Sequence, residues 1–177
     1  MTQKNPSQDK PMSEQELYEL MKEMYDKEMV RKDTMEMRIQ IPIAMITAMM
    51  GGFYYLAKKL VTAISMTSPL TSGILLLLLG GSFLSICVSM VFFSKFLWPV
   101  NYEWMPRTWD IQAQYPEKQA VLRKALIKKY AKCADINSRI NDRRADDFAH
   151  GMQALIIALA LAVLACLPYG WFLFISR

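Results

Sequence analysis

The chain has 177 residues, of which 53% are hydrophobic, and its formal net charge is +5. The charges are so unevenly distributed that a single water-soluble core is disfavoured, because the polar remainder is too short to cover the long apolar runs. The three cysteines have no framework spacing, so we expect free thiols. A polar stretch of 38 residues precedes the first apolar run, which argues against an N-terminal signal peptide.

The polar N-terminal region divides into a lead and a helix. Residues 1–12 contain two prolines and little apolar surface, so we expect a flexible lead. Residues 13–38 are predicted to form a cytosolic amphipathic helix, with Ser13 and Glu16 at the spacing of a capping box. Glu23 and Lys27 are placed to pair across one turn of this helix.

Residues 39–98 are predicted to form a hairpin of two transmembrane helices. Residues 39–57 carry no charge and residues 73–97 carry only Lys95, and about 20 apolar residues suffice to cross a bilayer. The connector between these runs is short and uncharged, so the two spans should be antiparallel. The pairs Gly51–Gly52 and Gly80–Gly81 are expected to serve close helix packing.

The second half of the chain is predicted to hold a basic helix that leads into a third span. Residues 99–150 should form a cytosolic elbow and a long helix that begins at Pro116. Residues 151–177 follow as the third transmembrane helix, and their first 26 carry no charge. The predicted fold class is therefore an all-α integral membrane protein with three transmembrane helices.

The distribution of lysine and arginine predicts the orientation in the membrane. Residues 99–150 contain ten of them, whereas the connector after the first span is flanked only by Lys58 and Lys59. By the positive-inside rule, the N-terminus and residues 99–150 face the cytoplasm and the C-terminus lies outside. We expect a multi-pass membrane protein.

Few residues are suited to catalysis or to metal binding. The only histidine, His150, lies beside Asp146 and Asp147, and this local group offers too few converging ligands for a metal site. An enzyme is disfavoured because intramembrane catalysis needs ionisable groups within the spans, which are nearly free of them. We predict neither a metal nor a cofactor.

The most informative segment is the basic stretch from Lys118 to Arg144. It holds nine basic residues against Asp135 and Asp142, a net charge of +7. On a helix, its apolar residues share one face: Leu122, Leu126, Cys133, Ile136 and Ile140. A basic row, predicted to bind anions or phosphates, lies about a quarter-turn away: Lys124, Lys128, Lys132, Arg139 and Arg143.

Three explanations of the basic row remain open. It can set the topology and attract anionic headgroups, it can grip the phosphates of a nucleotide messenger or an oligonucleotide, or it can dock an acidic protein. Base-specific recognition is poorly supported, because bases stack on aromatic rings and Tyr130 is the only ring within the row.

Four hydroxyl residues in the first two spans are candidates for a pore lining: Thr47, Ser82, Ser85 and Ser89. Three helices of one chain cannot enclose much water, so a pore would need a homo-oligomer. Hydrogen bonding between helices is the alternative role for these hydroxyls.

Two segments give the chain a resemblance to known effectors. They are RKDT at 31–34, before the first span, and KKYAKCADINSRINDRRADDF at 128–148, before the last. With these segments, the layout resembles that of small membrane effectors of bacterial antiphage systems, of the SLATT, Pycsar and Hailong types. The resemblance implies an oligomer that permeabilises the inner membrane when a nucleotide or nucleic-acid signal changes. The chain departs from effectors with a separate sensor domain, which would leave residues 118–144 as the sensor.

The leading functional hypothesis is therefore an oligomeric membrane effector or channel, gated by a cytosolic nucleotide or nucleic acid and acting in antiphage defence. The alternative is a non-catalytic subunit of a membrane complex that docks a soluble partner protein through its polar helices. The expected partners are the lipid bilayer, further copies of the chain, and either the anionic ligand or that protein.

Overall fold

The fold was analysed in a computed structural model, which describes residues 12–64, 69–106 and 119–175. The regular structure in these ranges is helical: α1 is Glu14–Arg38, α2 is Gln40–Ile64, α3 is Pro69–Leu97 and α4 is Gln119–Ile175. Three helical stretches are long and apolar enough to cross a membrane, within Glu14–Leu56, Pro69–Leu97 and Val121–Gly170. The all-helical fold with three span-length helices is thus confirmed. Nearly all of the predicted flexible lead, and the predicted helix start at Pro116, lie outside the described residues.

The start of α1 is the predicted capping box. The Ser13 amide donates to Glu16 Oε2 at 2.8 Å, and the Glu16 amide donates to Ser13 Oγ at 3.2 Å. These two bonds satisfy amides that have no partner inside the helix, and they hold the pKa of the Glu16 carboxyl below its usual value. About two turns further on, the predicted pair forms at 2.8 Å between Lys27 Nζ and Glu23 Oε1.

Two helices are longer than their apolar runs. Helix α2 continues past the uncharged residues to Ile64, and Lys58 Nζ lies 4.9 Å from the centre of the Tyr54 ring. Such a contact lets a lysine stem cover apolar surface while its ammonium group stays at the edge. Helix α4 runs without interruption from the basic segment into the apolar segment, as predicted.

The chain divides into two compact units, and each is described by itself. The polar unit is Met1–Lys32 with Val100–Asn141, and the apolar unit is Asp33–Pro99 with Asp142–Arg177. This division follows the hydropathy of the sequence, because the apolar unit contains every uncharged run predicted to span.

In the polar unit, the α1 and α4 segments run parallel. Lys124 Nζ lies 3.5 Å from Glu14 Oε1, and further along both helices Asn141 Nδ2 donates to the backbone carbonyl of Glu28 at 2.8 Å. Between these levels the ring of Tyr130 packs edge-on against Tyr25, with centroids 5.7 Å apart. Contacts therefore occur at increasing residue numbers on both helices, which is the pattern of a parallel pair.

In the apolar unit, one seam of α3 packs against α4. The buried residues of α3 recur at alternating steps of three and four: Ser72, Leu75, Leu79, Ser82, Ile86, Ser89, Phe93 and Phe96. This is the heptad spacing of packed parallel or antiparallel helix pairs. Ser82 Oγ donates to the carbonyl of Ala158 at 2.6 Å, and Ser89 Oγ donates to that of Gly151 at 2.8 Å. The two helices are therefore antiparallel and close enough for hydroxyl bonds between them.

The glycines divide into packed and open positions. A Cβ at Gly151 would lie 2.9 Å from a ring carbon of Phe93, and one at Gly81 would lie 3.3 Å from Leu161. A Cβ at Gly51, Gly52 or Gly80 would meet no atom within 4 Å among the described residues. Close packing therefore occurs at Gly151 and Gly81 within the described chain, and the packing predicted at Gly51, Gly52 and Gly80 is not made there.

Candidate anion-binding face

The rotation of α4 in the polar unit is fixed by two buried asparagines. Asn137 is fully buried, and its side chain both accepts from the amide and donates to the carbonyl of Glu103, each at 3.0 Å. Asn141 is also fully buried, accepts from the Tyr102 hydroxyl at 2.9 Å and donates to Glu28 Oε2 at 2.8 Å. Because buried amides are costly unless hydrogen-bonded, these contacts lock one side of α4 inward.

The buried side of α4 differs from the predicted apolar face. Only Cys133 of that face is fully buried, and the other four members, Leu122, Leu126, Ile136 and Ile140, are half-buried. The burial seam instead follows Cys133, Ala134, Asn137 and Asn141. Neither asparagine was predicted to be buried, because the predicted face contained only apolar side chains. Their spacing of four residues places both on one side of the helix and is the signal that could have identified them.

The basic row lies on the opposite side of α4. At 100° per residue, Lys128, Lys132 and Arg139 point about half a turn away from Asn137. All three are exposed, as is Lys124. Arg143 is exposed as well, and it belongs to the apolar unit. The polar unit therefore presents four of the five predicted residues on one open surface, which we call the basic face: Lys124, Lys128, Lys132 and Arg139.

The members of the basic face differ in their partners. Lys124 pairs with Glu14 at 3.5 Å, and Arg139 pairs with Asp135 on its own helix at 3.0 Å. Lys128 and Lys132 make no ion pair with any residue in the described part of the chain. These two ammonium groups, one turn apart, are the strongest candidates for binding an anion, since each offers three donors and neither is held by a carboxylate of the described residues.

Tyr130 does not contribute to the basic face. Its ring packs edge-on between Tyr18 and Tyr25, with both centroid distances 5.7 Å. Burial, followed by the charges of neighbouring groups including Tyr18 and Asp26, raises the pKa of Tyr130 to about 12. The ring is thus committed to the α1–α4 contact, and base stacking on the basic face has no aromatic platform there.

No family model, curated protein or solved structure matches the chain.

The chemistry of the basic face follows from its side chains: lysines on a helix surface bind phosphates, sulfates or carboxylates as point charges. Their spacing along the helix, rather than any shaped pocket, would set which anion fits.

The predicted pore-lining hydroxyls are found in three different settings. Ser82 and Ser89 are fully buried and bonded to α4 carbonyls, which is the interhelical role left open by the sequence. Ser85 is half-buried. Thr47 is exposed on α2, and its hydroxyl donates to the carbonyl of Ile43 at 2.9 Å. Thr47 is therefore the member of the set whose side chain lies on an open helix face.

Two further polar residues carry structural contacts. His150 stacks on the Phe92 ring with centroids 5.3 Å apart, and its Nδ1 lies 2.7 Å from the carbonyl of Asp146. Within the described residues, no group of three or more His, Cys, Asp or Glu side chains is arranged to hold a metal. Cys133 is fully buried, and burial raises the pKa of its thiol.

Proposed function

We propose that the chain is a homo-oligomeric membrane effector or channel whose basic face binds a cytosolic nucleotide or nucleic acid. Binding changes the permeability of the membrane in which the three apolar helices lie. By the layout resemblance, the setting is the inner membrane of a bacterium and the process is antiphage defence. The basic face is then the sensor, and the apolar helices are the output.

The membrane part of this proposal is supported by the three span-length helices. Their outward surfaces are apolar, because the side chains of three leucines are each exposed over about two thirds of their surface or more: Leu77, Leu84 and Leu167. Contiguous apolar surface of this extent is stable in hydrocarbon and is unfavourable in water. A pore additionally needs several copies, because the seam between α3 and α4 is closed by Ser82, Ile86 and Ser89.

The ligand part is carried by one observation, namely that Lys128 and Lys132 are exposed, adjacent and without an ion pair in the described chain. Their helix is held in place by the buried bonds of Asn137 and Asn141, so little further ordering of the backbone is needed when an anion binds. Tyr130 faces away, which favours recognition of phosphates rather than of bases.

The alternative function, a non-catalytic subunit that docks a soluble partner, is favoured by a different observation. Within the polar unit, helix α1 exposes the apolar side chains of Met24, at 46%, and Val30, at 64%. Contact with a partner protein would bury these two side chains. Purification in mild detergent separates the two functions: a stoichiometric partner of another sequence supports docking, and a closed assembly of one chain supports the effector.

Reversing the two unpaired lysines tests ligand binding. In detergent-solubilised protein, Lys128→Glu with Lys132→Glu should weaken binding of a fluorescent 20-nucleotide oligo-dT about 100-fold, because two attractive charges become repulsive. The slope of log affinity against log salt should become shallower by about 1.4 for two lost phosphate contacts. A panel of cyclic nucleotides and inorganic triphosphate, measured in parallel, identifies the size of anion preferred.

Arg38→Glu with Lys95→Glu is the matched control, since both residues are exposed, lie outside the basic face and change the total charge equally. This variant should bind the oligo-dT with its affinity altered less than about five-fold. Equal weakening by both pairs of substitutions would show that only net charge matters and would contradict the site. Membrane potential measured during expression tests the output, and an unchanged potential with every anion of the panel would contradict permeabilisation.

A further inference from the structure

The outward side of α1 in the polar unit carries an acidic face. Glu16, Glu19, Glu23 and Asp26 are all exposed there, and the exposed side chain of Val30 lies one turn beyond Asp26. Around the helix, Glu16 and Glu23 lie about 160–180° from Tyr25, which is buried and faces α4, and Glu19 and Asp26 lie about 100–120° from it. We call these four carboxylates and Val30 the acidic face.

Two lysines lie at the borders of the acidic face. Lys22 and Lys27 line the same shallow groove as Glu19, Glu23 and Asp26. Lys27 is held by Glu23 at 2.8 Å. Four carboxylates and two ammonium groups leave the face at −2, whereas the basic face, with four cations and the neighbouring Asp135, is at +3.

The acidic and basic faces point in opposite directions from the same helix pair. Tyr25 and Tyr130 meet between the helices, so Glu16 and Glu23 lie outside α1, Glu19 and Asp26 lie on its flank, and the lysines lie outside α4. The two faces also lie at the same level, because the helices run parallel and Glu14 is beside Lys124. A surface of one sign at one side and of the other sign at the opposite side suits a repeated head-to-tail contact.

We infer that the acidic face of one copy docks on the basic face of a neighbouring copy. Copies inserted in one bilayer with one topology, as the proposed function requires, keep their helices parallel and level with each other. Carboxylates at 16–26 of α1 then meet the ammonium and guanidinium groups at 124–139 of the neighbour's α4. Repetition of this contact produces a closed ring when the rotation angle between neighbouring copies is 360° divided by a whole number.

The strength of this contact is set mainly by confinement to the membrane. Exposed ion pairs contribute little each and are screened over about 8 Å at physiological salt. Charge complementarity therefore supplies register and selects the correct face, while confinement in a bilayer raises the effective concentration of neighbouring copies. Val30, at one end of the acidic face, adds a small apolar area to the contact.

This contact also implies a regulation of the proposed ligand site. Lys128 and Lys132 bind the neighbour's carboxylates in the unliganded assembly, so an anionic ligand has to displace the acidic face to reach them. Ligand binding then loosens the polar units of adjacent copies, and salt does the same. This regulatory step rests on the proposed function, whereas the contact between copies does not depend on the identity of any ligand.

A photo-cross-linker at position 30 tests the contact in native membranes. With Val30→p-benzoylphenylalanine in one tagged copy, cross-links should map to residues 124–139 of a second, differently tagged copy. Met24→p-benzoylphenylalanine is the matched control, because Met24 is exposed at 46% on α1 but lies about 120° away around the helix. Its cross-links should not reach the basic face of the other copy.

Charge exchange then tests the chemistry of the contact. Glu19→Lys with Glu23→Lys, or Lys128→Glu with Lys132→Glu, should each lower the cross-link yield about five-fold, and combining all four substitutions should restore most of it. Cross-links that map to α1 of the second copy, or to lipid alone, would contradict the inference. So would yields that do not respond to either pair, or a combination that fails to restore the yield.

The failure of this contact can be told from a failure of the proposed function. Saturating unlabelled 20-nucleotide oligo-dT should lower the yield from position 30 if the ligand and the acidic face compete. A yield that persists with the bound oligonucleotide contradicts the regulatory step. A chain that binds no anion of the panel but gives the mapped cross-links retains the contact and loses the sensor function.

Discussion

Replacing Arg144 with methionine should lower the stability of the protein in detergent by about 3 kcal/mol, which is a decrease in Tm of about 6–12 °C. Arg144 is only 7% exposed, and its Nε donates to the carbonyl of Phe96 at 3.1 Å. Its Nη1 lies 3.2 Å from Glu36 Oε1, and its guanidinium lies 4.5 Å from the centre of the Phe96 ring. Phe96 is next to the last residue of α3, so Arg144 satisfies a carbonyl that has no partner within its helix.

The adjacent residue provides the control for this prediction. Arg143 is exposed and equally charged, so Arg143→Met should change the Tm by less than about 2 °C. Arg144→Lys should lose most of the stabilisation that Arg144 provides, because an ammonium group cannot donate to two acceptors in the planar geometry of a guanidinium. Equal Tm values for Arg144→Met and Arg143→Met, measured by intrinsic fluorescence, would contradict this account of the α3 terminus.

Substitution of Gly151 should separate α3 from α4. A Cβ at this position would lie 2.9–3.1 Å from three carbons of the Phe93 ring, and Phe93 is itself only 3% exposed and cannot easily move away. Gly151→Ala should therefore cost about 1–3 kcal/mol, and Gly151→Leu should prevent folding. The hydrogen bond from Ser89 to the carbonyl of Gly151 would be lost with the displacement.

Gly80→Ala is the matched control, because a Cβ there meets nothing within 4 Å among the described residues. It should be neutral or stabilising by up to about 1 kcal/mol, since alanine favours the helix. Phe93→Leu should recover part of the stability lost in Gly151→Ala by making room for the methyl group. A Gly151→Ala protein with an unchanged Tm would show that the two helices are less closely packed than described.

The sequence was sufficient to predict features that depend on local signals. The capping box at Ser13 and Glu16 needs only a spacing of three, and the continuity of α4 needs only the lack of a helix-breaking residue in its first part. Span-length helices follow from runs of apolar residues that are long compared with the bilayer. None of these depends on which side of a helix meets another helix.

Features that depend on helix packing were predicted less well. Of the apolar face predicted on α4, only Cys133 is fully buried. Asn137, Asn141 and Arg144 are buried instead, and each makes hydrogen bonds to a distant segment of the chain. A helical wheel sorted by hydropathy places such residues outside. In addition, positions that repeat every seven residues rotate by about 20° per heptad around a straight α-helix, so a wheel drawn at 100° per residue gradually misplaces a seam with that repeat. Polar residues at steps of three and four are the signal that would have revealed this seam.

The pore-lining prediction has a similar limit. Whether a serine in an apolar helix faces a pore or a carbonyl depends on the neighbouring helix, which sequence periodicity does not specify. Within one copy, Ser82 and Ser89 face α4 carbonyls, and Thr47 faces outward.

The central claim is that three apolar helices cross the membrane and leave the basic face of α4 in the cytoplasm. Thiol labelling in spheroplasts tests it, with Cys87, Cys133 and Cys166 replaced by alanine and one cysteine introduced either at the exposed position Lys132 or after the last residue. A membrane-impermeant maleimide should label the C-terminal cysteine in intact spheroplasts, and should label Lys132→Cys only after permeabilisation. Labelling of Lys132→Cys in intact spheroplasts, or recovery of the chain in the soluble fraction without detergent, would contradict the claim.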